Sequence, residues 1–575
     1  MNACAACRRA AEVLQSVAMQ YVHLRRRMRA LSRRTALALA MGVASAHATP
    51  AASPRFFPAH GANQVQRTVQ PHLRFATPES ALTATPGRLQ LRTPIGTVVA
   101  GLLKVAGRDA TFVPAAPLAG CTTYTLQWDA NQQAPVSSQF TTTCRTAWTP
   151  PVQIDDARTA RLVDRPADGA QAAAGANGEV VAAWFQNDGR RDAIEVSSYT
   201  PATDFWSAPR TIDLRADDAA AASIPALAAD PQGRITAVWF QAVNGRNAIL
   251  SSRLTPGRDW TRPARLDNPA TPGDATNPQL AADADGNVTV VWQQPDGRHT
   301  GIDAARRLQA QGRWTPAQPL DRLASHAYNP AVAVAPNGRV VAAWQQGPRG
   351  REAVYATLLR APTGPWRRPL RVSAPEARAQ MPVLAADAFG VVTAAWVQGS
   401  GHQRRIATSR LEAGAHRWTR PEILQAPGAF QDAALAPALV ADAAGNVTLA
   451  WEQADAGGRY ALFAARFLAA TGRWNAPARL DDARLDSAGN PRLVADAAGN
   501  VTCAWYQAGP RGLQIHAARF DASTAQWSAP AMLSDPRFTV EASFPALAVD
   551  AAGSVTAVWQ QYNGWRTLIM ASRLP

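Results

Sequence analysis

The chain has 575 residues, 47% of them hydrophobic, and a formal net charge of +16 carried almost wholly by arginine, Lys104 being its one lysine. The length allows more than one domain, and beyond residue 48 no apolar run reaches the ~18 residues that a membrane-spanning helix needs. The first 48 residues hold eight Arg and one Glu; the remainder is therefore basic, but less so than a dedicated nucleic-acid binder.

Residues 1–48 read as an N-terminal extension and export signal. Met28 to Ala48 has a basic start, an apolar stretch and a small-x-small ending at Ala46-His47-Ala48. Ser32-Arg33-Arg34 resembles a twin-arginine signal without its usual Phe, so both export routes stay open. The true start is expected at Met28 or Met19, which leaves the Cys4/Cys7 pair upstream of the signal. The mature protein is expected in the periplasm, at the cell surface or secreted.

Residues 49–145 are rich in Thr and Pro and carry short alternating runs: HLRF, LQLR, TVVAG, ATFVP, CTTYTLQW and SSQFTTTC. These predict six strands. The stretch ATFVPAAPLAGCTTYTL, with LQLRTPIGTVVAG before it, resembles the bacterial Ig-like domain of the SbsA (S-layer) type. The early Phe-Ser-x-Pro of that family is Phe75-Ala76-Thr77-Pro78 here. The resemblance implies a β-sandwich used as a spacer or attachment module, without catalysis. If the last two runs form a hairpin, Tyr124 faces Thr141 and Leu126 faces Gln139. That register sets Cys121 opposite Cys144 and predicts a disulfide, which an oxidising compartment permits. It would stabilise the domain by roughly 3 kcal/mol. Cys503 reads as a buried small hydrophobe.

From residue 146 to 575 the chain repeats one unit eight times. Trp184, Trp239, Trp292, Trp344, Trp396, Trp451, Trp505 and Trp559 stand 52 to 55 residues apart. A Gly lies six positions before each and a Gln two positions after each; Pro lies fourteen before in seven units and Asp nine before in six. Each unit predicts four short strands, as in PALAAD, GNVTVVWQQ, AILSSRL and WTRPARL, which argues for an eight-bladed β-propeller. The fold class is thus all-β, a small sandwich followed by the propeller. The fourth-strand Trp series starts at Trp148, ahead of any first strand, and the chain ends on a third strand. The N-terminal strand is therefore expected to complete the last blade and close the ring.

The layout resembles the bacterial sialidase-like, BNR-type propeller superfamily. The Ser-x-Asp-x-Gly-x-Thr-Trp box of that superfamily is absent, as is its Arg-Ile-Pro opening, so no catalytic residues are carried over. Residues present in every unit suit structure: Trp for packing between blades, Gln for backbone groups there. Arg253, Arg306, Arg410, Arg519 and Arg573 are suited to pair with the recurring Asp. The turn Asp283-Ala284-Asp285-Gly286-Asn287 has the alternating oxygens of a calcium loop, but position 285 is not acidic in the other units. A hairpin turn is expected there and no metal.

Function is expected in the loops that differ. Every loop between second and third strands carries an Arg: Arg190, Arg246, Arg298, Arg349, Arg404, Arg459, Arg511 and Arg566. His299, His402, Tyr460 and Trp565 interleave with them, and His326, Tyr328 and Phe430 join from the loops between blades. Arg forks suit carboxylate or phosphate, and aromatics stack on sugar rings. The expected function is an exported binding or scaffold protein of the cell envelope whose face docks an anionic glycan or an acidic protein. No cofactor, nucleic acid or membrane span is expected, and the protein should be a monomer. The rival is a glycan-cleaving hydrolase or lyase on the same face. Asp188, Asp192, Asp217, Asp218, Asp274, Glu352, Glu376, Asp432, Asp455 and Glu541 are its candidate carboxylates, with nothing to select two. An Arg–Tyr–Glu group breaking the eightfold pattern would favour it.

Overall fold

The structure, a computed structural model, describes residues 55–575 other than 67–68, 76–88, 93–97, 100, 115–117, 119–122, 130–134, 143–147, 156–166, 176–177, 188–190, 215–221, 322, 360–363, 425, 427–433, 455–457, 523 and 539–540. The export segment, Cys121, Cys144 and Arg190 thus lie outside the described residues. The described part belongs to one compact unit, Arg55–Pro575. It is all β; among the described residues the one helical element is a 3-10 turn, Gly401–Gln403. No described helix is long and apolar enough to cross a membrane.

Two four-stranded sheets open the described chain. One orders Arg55–Phe57, His72–Arg74, Asp109–Pro114 and Gly101–Ala106; the other orders Ala62–Val65, Val136–Thr142, Thr123–Trp128 and Leu89–Arg92. Alternating side chains from both sheets fill one core of Leu73, Leu89, Leu91, Phe112, Leu126 and Phe140. Two expectations shift. The run TVVAG is not the strand: Val98 makes a single bridge to Arg92, and the strand begins at Gly101. The last hairpin is one residue out of the expected register, with Tyr124 facing Phe140 and Leu126 facing Ser138. The cause is core parity. Tyr124, Leu126 and Phe140 are all buried, so both strands must present the same face, and a one-residue slip would turn Phe140 outward.

Eight further antiparallel sheets of four or five strands follow in chain order. We number them one to eight by their Trp, from Trp184 to Trp559. The chain runs from the inner strand outward in each. The inner strands pack side by side in a closed succession, Ala167–Ala174 of sheet one meeting Ala542–Val549 of sheet eight, as in a β-propeller. The expected closing strand is present: Val152–Gln153 pairs with Thr567–Leu574 as the outer strand of sheet eight.

The recurring residues explain why the unit repeats. Each Trp is fully buried in the seam between its own sheet and the one before. Its indole N–H donates to the Gln two positions on in every sheet, at 2.7 Å for Trp396 and 3.0 Å for Trp451. Several of those Gln amides then bind the backbone of the preceding connection, as Gln346 does at the Ser325 carbonyl (2.9 Å) and Gln561 at the Asp535 carbonyl (2.9 Å). Those carbonyls would otherwise be buried without partners. The recurring Asp meets the third-strand Arg, as expected. Arg253 reaches Asp230 at 2.7 Å, Arg519 reaches Asp496 at 2.5 Å, and Arg466 grips Asp442. In the calcium-like turn, Asp283 accepts from Asn287 N at 2.7 Å and from Asn287 Nδ2 at 2.8 Å, and pairs with Arg306. Gly286 has φ +83°, where a side chain would be strained and would strike Arg234. The stretch is a hairpin turn whose carboxylate is fully engaged.

Candidate functional site

The loop arginines do not form a uniform ring. Arg298, Arg349 and Arg511 are exposed. Arg246 is exposed but donates to its own connection, at the Pro269 and Thr271 carbonyls. Arg459 reaches the Leu485 carbonyl at 3.5 Å, and Arg404 is half-buried. Arg566 departs most: it is buried and pairs with buried Asp155 at 2.7 Å, so it braces the closing strand instead of facing ligand. His299 lies 3.3 Å from Asp296, His326 stacks on Tyr328, and Trp565 is 77% exposed. Among the candidate carboxylates, Glu352 binds Arg378 at 2.7 Å, Asp274 accepts from Asn247 N and Asp192 from Asn187. Asp188, Asp217, Asp218, Asp432, Asp455 and Phe430 are outside the described residues, as is the His402 side chain.

A different group breaks the eightfold pattern, near the axis. The residue after each Trp faces the next sheet: Phe185, Phe240, Gln293, Gln345, Val397, Glu452, Tyr506 and Gln560. Each of seven inner strands has a bulge there, with one residue at φ 43° to 66°, among them Met381, Asn490 and Phe544. Gln293, Gln345 and Gln560 accept from the backbone N–H of a bulge residue in the next sheet, at 2.8, 3.0 and 3.3 Å. In sheet six this place holds a carboxylate, and Glu452 accepts from Asn490 N at 2.6 Å. Its neighbours are equally singular. Arg492 stands on the inner strand of sheet seven where the other sheets have Gln171, Ala226, Gln279, Ala331, Val383, Ala438 and Ala546. Gly489 takes the place of larger residues: a Cβ there would meet Tyr506 Oη at 2.7 Å and Glu452 Oε1 at 2.9 Å. The missing side chain lets the phenol and the carboxylate converge.

The electrostatics follow from this enclosure. Burial raises the Glu452 carboxyl above its usual range, against the Asn490 N–H and the charge of Arg492. Burial also lowers the Arg492 guanidinium, which Glu452 in part offsets. Yet Arg492 is solvent-exposed as a residue: protein surrounds its guanidinium without covering it. Among the described residues its guanidinium makes one hydrogen bond, to the Pro491 carbonyl at 3.2 Å, and no ion pair. Burial first, then Glu452 and Tyr460, push the Tyr506 phenol up to about 12. A guanidinium with free donors, a carboxylate inclined to hold a proton and a neutral phenol can together bind an anion and exchange a proton. Of these residues the loop pattern shows only Tyr460. Glu452, Arg492 and Tyr506 lie within strands, and their signal is that each is the odd member of its column of eight.

Two other places were also unforeseen. Asp213, Asp267, Asp321 and Asp481 follow the outer strands and accept third-strand N–H groups, as Asp321 does from Ile302 at 2.9 Å. Beside them Asp303, on the outer half of sheet three, is pushed up to about 7 by burial, then by Asp321, Asp267 and Asp296. It is remote from the bulges. His516 is 6% exposed, stacks on Trp505 and has no hydrogen-bond partner on either ring nitrogen among the described residues. Burial lowers it from 6.5 to about 4. Phe463 holds the equivalent place against Trp451. Replacing His516→Phe is expected to stabilise the fold by about 1–3 kcal/mol, since an unsatisfied buried polar group is removed. The unfolded histidine takes up a proton below pH 6.5 and the folded one resists until about 4. Wild-type stability should therefore fall as pH drops through that window, and the variant's lead should widen. Chemical denaturation at pH 7 and 5 reads both; a variant less stable at either pH contradicts this.

No family model matches the chain, and no curated protein matches it. Among solved structures it is similar to a protein of unknown function from Dyadobacter fermentans, at 11% identity over 74% of this chain and 98% of the other, with TM-score 0.39. It is similar to a polysaccharide lyase of the PL25 ulvan lyase family bound to a glucuronate–sulfated rhamnose unit, at 12% identity over 62% and 93%, TM-score 0.42. A third similarity is to the NanB sialidase of Streptococcus pneumoniae, at 7% identity over 74% and 98%, TM-score 0.36.

Proposed function

We propose that the protein is an exported eight-bladed β-propeller, residues 146–575, carried on an Ig-like sandwich, residues 49–145. In this reading it is a binding or scaffold protein of the cell envelope that docks an anionic glycan at the inner end of the seam between sheets six and seven. The observation that carries this is Arg492: one guanidinium among eight inner strands, exposed, held among the described residues by a single carbonyl and able to present its fork to a carboxylate or sulfate. Tyr460, Tyr506 and exposed Phe544 supply flat surfaces for sugar rings. Arg492→Ala should weaken binding to an acidic polysaccharide at least about tenfold, as hydrogen bonds to charged groups contribute about 1.5–3 kcal/mol. A glycan array followed by calorimetric titration checks it, and equal affinities for wild type and variant would sink the reading.

A second reading, cleavage at the same place, is favoured by the Tyr506–Glu452 convergence. A raised carboxyl and a phenol serve as a proton donor and acceptor. Release of new reducing ends by wild type, lost in Tyr506→Phe and Glu452→Gln while binding persists, would support it. A protein that binds the polymer for hours without shortening it would rule it out.

A further inference from the structure

The seam between sheets seven and eight holds a second feature on the side of the loops between second and third strands. A cavity of about 180 Å3 is lined by Arg511, Leu513, Met532, Ser534, Phe538 and Gln561. Its walls are mixed, with Leu513, Met532, Pro536 and Phe538 as the apolar part: Met532 is 45% exposed, and Phe538 packs on the seam's core beside Tyr506. The one acidic group in its lining, Asp535, is held below the usual carboxylate range by Arg537, at 2.6 Å. Arg511 differs from Arg537: it is exposed, and its guanidinium has no partner among the described residues. The cavity therefore presents one exposed positive fork beside the apolar faces of Met532 and Phe538, in the seam that Tyr506 faces from the inner end.

We infer that this cavity is an outer subsite for an acidic unit several positions along a polymer whose first anionic group is held at Arg492, beyond the reach of a disaccharide: Arg492 pairs with Ala504 inside sheet seven, whereas Arg511 stands past the strand end at Gly509. The inference rests on the docking reading above and goes further: the ligand is a chain, not a single sugar, and it lies radially from the axis toward the rim over sheet seven. Arg511 holds this more distant carboxylate or sulfate while Met532 and Phe538 take the ring face. Gln561 is fixed by Trp559 and the Asp535 backbone, so the floor is rigid.

Length-graded acidic oligosaccharides test this, using oligogalacturonates of two and of eight units with the whole chain. Wild type is expected to bind the octamer at least about tenfold more tightly than the dimer. Arg511→Ser should remove most of that gain and leave dimer affinity unchanged, while Arg492→Ala should weaken both. Arg258→Ser, an exposed arginine of a connection elsewhere in the fold, should change neither. Equal affinity of wild type for both lengths, or an octamer gain that survives Arg511→Ser, overturns the outer subsite while dimer binding keeps the docking reading intact. A loss with Arg258→Ser as large as with Arg511→Ser would show diffuse charge attraction and overturn it too. If wild type binds neither length, both readings fall.

Discussion

Truncating Trp451→Ala is expected to lower the stability of the fold by about 3–5 kcal/mol, the usual range for a buried Trp or Phe cut to Ala. Trp451 is fully buried between sheets five and six among Ala395, Ile406, Leu449 and Phe463. None of these can grow into the space, and the strand hydrogen bonds hold them apart. The loss is also polar. The indole N–H holds Gln453 at 3.0 Å, and Gln453 in turn accepts from Ala426 N at 3.5 Å. Without the indole that amide is loosened in a buried seam, which adds the cost of an unsatisfied group. Trp451→Phe fills most of the volume but lacks the donor, so it should fall between the two. Denaturant midpoints of the three proteins order them; a Phe variant as stable as wild type would show that the indole–amide bond contributes nothing.

That prediction was within reach of the sequence, because eight Trp at one spacing, each with Gln two positions on, define a side-chain pair and its face. The pairing of Asp230 with Arg253 was readable for the same reason: both recur in phase. Loop residues carry no such phase. Arg566 and Arg298 look alike as loop arginines, yet Arg566 is buried because Asp155, 411 residues away in the chain, stands inside the same sheet. Nothing local announces that partner. The sandwich hairpin failed on a smaller point. Its register was set by pairing the two runs end to end, whereas the buried face of Phe140 decides it. Glu452, Arg492 and Tyr506 were hidden by the opposite error. They sit in strands read as scaffold, and only comparison of each column across eight sheets marks them as exceptions.

The exception has a physical logic. At the inner bulge an amide is enough: Gln293 and Gln345 satisfy a backbone N–H without charge. A carboxylate in that place is costly to bury, and Glu452 is accordingly raised toward its neutral form. A glycine is also needed at position 489 to admit it beside Tyr506. Strand stability would be better served by a side chain at 489 and an amide at 452. Two departures that each weaken the scaffold, in one place and mutually dependent, are what a site looks like when it overrides packing.

Removing the closing strand should be the most damaging change made far from its effect. Thr149 accepts from Arg573 N and donates its own N–H to the Arg573 carbonyl at 2.7 Å; its carbonyl takes the Ser572 hydroxyl at 2.7 Å. Ile154 is buried and bonds the Ile569 carbonyl at 2.9 Å. Deleting 146–156 strips these from sheet eight and leaves Thr567–Leu574 as an open edge. The Asp155–Arg566 pair isolates one part of that loss. Burial raises the Asp155 carboxyl despite Arg566 beside it, so the pair as a whole is not strongly stabilising. Breaking it is another matter: Asp155→Ala removes the buried carboxylate that Arg566 and the Ile569 N–H share, and should cost about 3–5 kcal/mol. Replacing both partners, Asp155→Leu with Arg566→Met, should recover most of the loss, because apolar side chains of similar volume need no pairing. Thermal and denaturant unfolding of the two variants settle it. If the double variant is as unstable as Asp155→Ala, the damage lies in the lost Ile569 N–H bond, and the pair would have to be counted as a net stabiliser of the ring closure.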